Sequence, residues 1–152
     1  MSGIIGVTPD MRSGVIGVGI IKAKMGNYQF DQAMGSGTVS ITGVGFQGNF
    51  IEGWVNYTGS SSATLRSYGY AKIVSSTITQ QCTQLISDTS NSTLSGYFAS
   101  SSDATSGVDG HMQKFSLTSF DSDGFTFANT KTGTPGSTHG FTYIIYYLGD
   151  MS

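Results

Sequence analysis

From Thr38 to Leu148 the chain is a succession of short runs with period-two alternation, divided by clusters of Gly, Ser, Thr, Asn and Asp. No stretch carries a helical period. Thr38–Thr42 alternates apolar and polar, and Phe50–Tyr57 is apolar on both sides. Arg66–Val74 places Tyr68, Tyr70 and Val74 on one face; Thr79–Ile86, Thr93–Ala99, His111–Leu117 and Gly124–Phe127 follow. The last run, Phe141–Leu148, sets Phe141, Tyr143, Ile145 and Tyr147 against Thr142, Ile144, Tyr146 and Leu148, so it belongs mid-sheet with material packed on each side. About eight strands at such spacing make an all-β domain, an antiparallel β-sandwich of jelly-roll-like form, with a closed barrel as the lesser alternative. Its core is expected from Phe50, Trp54, Phe115, Phe120, Phe125, Phe127, Phe141, Tyr143 and Ile145.

Residues 1–36 read differently. Ser2-Gly3-Ile4-Ile5-Gly6-Val7 returns as Ser13-Gly14-Val15-Ile16-Gly17-Val18, with Thr8-Pro9-Asp10 as a turn between the copies. Such peptides have too many glycines for a stable helix and too few large side chains for a core. They either stay loose or are fixed by lying along another surface. Gly19–Lys24 reads as a short strand, and Met25-Gly26-Asn27 and Met34–Gly37 as loop. The organisation expected is therefore an extended N-terminal arm over 1–36 and a sandwich domain over 37–152. Ile4, Ile5, Val7, Val15, Ile16 and Val18 are the anchoring side chains of the arm.

Charged residues make up only 11%, and Ser and Thr supply the polar half of the pattern instead. Seven scattered Lys and Arg against nine Asp and Glu give no basic field for nucleic acid. No apolar run is long enough for a membrane span, and no secretory leader is expected at the start of the chain. With Cys82 the single cysteine, an intramolecular disulfide is impossible, and burial in a strand is its expected state.

Candidate chemistry is sparse. His111 and His139 are the two histidines, and each reads as a strand-end or loop residue, so no metal or cofactor is expected. Asp121-Ser122-Asp123-Gly124 has the look of a calcium loop but lacks its closing Glu, and a tight turn with Gly at its end explains it better. Glycoside cleavage needs two opposed carboxylates. Most acids here sit in turn contexts, and the lone Glu, Glu52, alternates with Phe50 and Trp54 on a strand, where a sheet edge or subunit contact is the expected setting. Neither a Gly-x-Ser-x-Gly elbow nor a Walker-type phosphate loop occurs, and the chain is not expected to be an enzyme.

Two passages carry a resemblance. Ser40-Ile41-Thr42-Gly43-Val44-Gly45-Phe46-Gln47 resembles the "ITGVGFQP" opening of a β-sandwich module of bacteriophage virion proteins. Ser119–Phe127, with the closing Thr142–Tyr147, is similar to that module's "ITSFDADGFTL" hairpin and Tyr-rich last strand. The match runs over about 38–148. Gly48 replaces the usual Pro, and 59–110 carries no matching motif. Met1–Gly6 is similar to the start of phage fibre or appendage proteins. The resemblance implies a non-catalytic structural protein on the outer surface of the phage particle. The leading expectation is a capsid decoration (cement) protein that bridges major capsid protein subunits and self-associates as a homotrimer. The alternative is a tail-fibre or appendage module, attached to a tail protein, that binds a host receptor or glycan.

Overall fold

The computed structural model describes residues 22–30, 35–57, 66–86, 90–102, 112–133 and 139–149, and among them every regular element is a strand. These are β1 (Lys22–Phe30), β2 (Gly37–Ile41), β3 (Phe50–Tyr57), β4 (Arg66–Val74) and β5 (Thr77–Ile86). They continue as β6 (Ser90–Ser95), β7 (Ala99–Ser102), β8 (Met112–Asp121), β9 (Gly124–Thr132) and β10 (His139–Tyr147). Two antiparallel sheets result, a six-stranded one in the order β1-β10-β3-β4-β5-β6 and a four-stranded one in the order β2-β9-β8-β7. They pack face to face as a β-sandwich. Pairing of β1 with β10 and of β2 with β9 gives the rolled element of a jelly roll, whereas β3–β6 is a plain meander.

Three readings change. β1 pairs along its whole length with β10, from Lys22 opposite Tyr147 to Phe30 opposite His139. Residues 22–30 therefore belong to the body, Met25-Gly26-Asn27 is strand rather than loop, and an arm extending to residue 36 is too long. The run Thr93–Ala99 is interrupted: β6 ends at Ser95, and the chain crosses to the other sheet through Gly96–Phe98 before β7 starts. Phe50 and Trp54 are not core; both are half-buried. Along β3 it is Ile51, Gly53 and Val55 that face inward. A run apolar on both sides does not disclose which side is covered.

Burial in the core falls on Ile51, Val55, Phe115, Leu117, Phe120, Phe125, Phe127, Phe141, Tyr143 and Ile145, together with Phe98 from the β6–β7 crossing. Phe127 lies at its centre, edge-on to Phe115 (5.3 Å between centroids) and Tyr28 (6.0 Å); Phe98 is edge-on to Phe141 at 5.5 Å. Quadrupolar edge-to-face contacts of this kind add to the area effect. Rings this large need room, and glycines facing them provide it. A Cβ on Gly53 would overlap the Phe141 ring, and one on Gly69 would strike the Phe98 carbonyl oxygen and Cys82.

All odd-numbered strands end, and all even-numbered strands begin, at one end of the sandwich. The opposite end is closed by short turns and by the segment 42–49. There Asp123, in the β8–β9 turn, accepts the Gly43 N–H on Oδ2 (3.0 Å) and the Gly45 N–H on Oδ1 (2.5 Å), while its carbonyl accepts the Val44 N–H (3.0 Å). Gly43 and Gly45 take φ of 80° and 88°, conformations that suit glycine and turn both N–H groups toward the one carboxylate. Lys24 from β1 donates to the Gly43 carbonyl. The two passages that carry the phage resemblance thus touch in space.

Candidate functional site

The outward face of the six-stranded sheet is built by register. Three cross-strand rows run over β1, β10, β3, β4 and β5: Ala23–Tyr146–Phe50–Lys72–Thr79, Met25–Ile144–Glu52–Tyr70–Gln81 and Asn27–Thr142–Trp54–Tyr68–Thr83. Period two dictates this grouping, because the alternate residues Ile51, Val55, Ala71, Phe141, Tyr143 and Ile145 are committed to the interior. What remains outside is five aromatic rings with Met25 and Ile144. Met25 is 64% exposed and Tyr68 47%, far above the rings of the core.

The rings contact one another in two groups. Phe50 stacks on Tyr70 (6.2 Å, 17° between planes) and leans on Tyr146 (5.7 Å), and Trp54 leans on Tyr68 (5.9 Å). Polar groups border the patch: Thr142 donates to Asn27 Oδ1 (2.8 Å) on one side, and Gln81 and Thr83 of β5 are exposed on the other. The patch is thus mainly aromatic, polar at its margin, and carries two charged groups, Glu52 and Lys72.

Glu52 stands in the middle of the patch, opposite Ile144 and Tyr70 in the ladder. The Tyr68 phenol lies on its diagonal, within reach of its charge. Burial first, and the Glu52 charge second, push the Tyr68 phenol above its ordinary value, and the same two causes act on Tyr146. One other charged group, Lys72, lies on these rows, beside Phe50.

Other candidate residues fall elsewhere. Ile4, Ile5, Val7, Val15, Ile16, Val18 and His111 lie outside the described residues; His139 opens β10. Cys82 is buried, its Sγ 3.8 Å from Ser100 Oγ, and burial raises its thiol pKa. Asp121-Ser122-Asp123-Gly124 is the β8–β9 turn. Its carboxylates are occupied by protein donors: Asp121 accepts from Ser119 Oγ (2.7 Å) and Thr126 Oγ1 (2.6 Å), and Asp123 from the two glycines. Among the described residues no three His, Cys, Asp or Glu side chains gather as a metal site.

A buried polar layer escaped the sequence reading. Ser67, Gln84, Ser100, Gln113 and Asn129 are all buried; Ser100 Oγ donates to Gln84 Oε1 (3.2 Å), and Ser67 Oγ accepts the Ser100 N–H (3.1 Å). Inward positions of Ser, Gln and Asn in a Ser/Thr-rich chain look like ordinary outward ones, so no signal marked them. Comparison of the chain with family models, curated proteins and solved structures finds no match.

Proposed function

We propose that this chain is a structural protein of a virion, a capsid decoration protein that bridges coat subunits, and that the outward face of its six-stranded sheet is one of its docking surfaces. The observation that carries the reading is the contiguous group Phe50, Trp54, Tyr68, Tyr70, Ile144 and Tyr146, half-buried or exposed, on a sheet face that no part of the described chain covers. Aromatic residues and Met enriched over Lys and Glu characterise protein interfaces. The repeated Ser-Gly-(Ile/Val)-Ile-Gly-Val peptide offers a second apolar contact, and several linked contacts per assembly hold by avidity where one alone is weak. The resemblance of Ser40–Gln47 and Ser119–Phe127 to a phage virion module gives the setting.

Purified particles test this. Hundreds of copies per particle, lost on deleting residues 1–18 or on changing Trp54→Ala together with Tyr68→Ala, are the expected result. Undiminished decoration by both variants would overturn it.

A second reading, a tail-fibre or appendage module that binds a surface glycan, is favoured by the tilted Trp54–Tyr68 pair beside exposed Gln81 and Thr83, since aromatic faces flanked by hydrogen-bonding groups suit sugar rings. A handful of copies per particle, with glycan-array binding by the full chain, would support that instead.

A further inference from the structure

A partner that covers the aromatic face must also cover Glu52. That carboxylate is half-buried at the centre of the patch, flanked by Ile144 and Tyr70 along the row and by Tyr146, Thr142, Tyr68 and Lys72 on the diagonals. No ion pair to it occurs among the described residues, the diagonal Lys72 included. Sealing an anion under apolar side chains without a cation is strongly unfavourable, whereas a partner that supplies one converts the same group into a selector. A second copy docked through the same face with its two-fold axis at Glu52, the centre of the patch, would bring two Glu52 carboxylates together, which costs energy for the same reason.

We infer that this face recognises a protein partner through one basic side chain, arginine before lysine, seated against Glu52 among the tyrosine rings and flanked by apolar residues that cover Phe50, Trp54 and Met25. Arginine fits because its planar guanidinium forks onto a carboxylate while its face lies on an aromatic ring; an ammonium does the first as a point charge only. Met25, Ile144 and Phe50 offer no hydrogen-bonding group to a sugar, so a polyhydroxyl ligand would leave that half of the patch unused. The inference rests on the docking role proposed above and specifies the chemistry of the partner.

The test pans the full chain, immobilised, against a random dodecapeptide display library, with Glu52→Gln, Glu52→Lys and Trp54→Ala baits alongside and circular dichroism to verify folding. Trp54 is the chain's one tryptophan, so its fluorescence reads the affinity of each enriched peptide directly. Expected is enrichment of peptides with one Arg or Lys between apolar residues, at least tenfold weaker binding to the Glu52→Gln chain, and a switch to acidic peptides on the Glu52→Lys bait. Enriched peptides that lack a basic residue, or that bind the Glu52→Gln chain equally well, overturn the inference yet leave the docking face standing. No enrichment on the wild-type bait, or saturable quenching of Trp54 by a neutral oligosaccharide such as maltotetraose, also overturns it. Identical peptides retained by the Trp54→Ala bait would instead remove the docking face itself.

Discussion

Asp123 holds two loops together with one side chain. Its carboxylate takes the Gly45 and Gly43 N–H groups, and these hydrogen bonds, the Gly45 one foremost, depress its pKa below the ordinary aspartate value; the Lys24 charge acts in the same direction. A carboxyl whose folded pKa is lowered stabilises the fold fully above its unfolded value, about 3.9, and loses that contribution as pH falls from there through the folded value. Asp123→Asn keeps one acceptor oxygen and no charge. Urea midpoints measured from pH 6 down to pH 2 should therefore fall less steeply for the variant than for the wild type, with the variant less stable at pH 6. Parallel curves would show that the clasp does not titrate with folding. The tight turn around this residue was legible from Asp-Gly between two phenylalanines. Its grip on Gly43 and Gly45 was not, because a contact across 78 residues leaves no local pattern.

At the level of the strand, β3 and β4 have the bounds read from alternation, Phe50–Tyr57 and Arg66–Val74. β1 was legible only at its start, in the strand read over Gly19–Lys24, because Gly26 in its middle looks like a break, although it is the place where the Tyr143 ring lies across the strand. The inside and outside of β3 were also exchanged. Aromatic bulk suggested Phe50 and Trp54 as core, whereas the smaller Ile51 and Val55, with Gly53 leaving space for Phe141, occupy the interior. That assignment has a measurable consequence. Phe127→Ala, which empties a site bordered by Tyr28, Phe98, Phe115, Phe125 and Phe141, should cost about 3–5 kcal/mol in unfolding free energy. Phe50→Ala on the outward face should cost only about 1 kcal/mol. Equal losses by chemical denaturation would mean that the outer rings are packed as core.

On the scale of the whole molecule, the two faces of the six-stranded sheet explain both the fold and its proposed use. The space between the sheets takes Phe98, Phe115, Phe120, Phe125, Phe127 and Phe141 and needs glycines at 53 and 69 so that the rings fit; the outer face carries Phe50, Tyr68, Tyr70, Tyr146, the one tryptophan and the one glutamate. The sequence pointed to Glu52 as an oddity and to Tyr68 and Tyr70 as sharing a side. Joining them to Ile144 and Tyr146 required the β10–β3–β4 register, which pairs strands far apart in the chain. Whether the outer face is covered in the assembly can be read by hydroxyl-radical footprinting of Met25, Trp54 and Tyr68, with mass spectrometry on intact particles and on the isolated chain. All three should oxidise readily in the free protein and be protected several-fold in the particle. Equal oxidation in the two states would contradict that coverage.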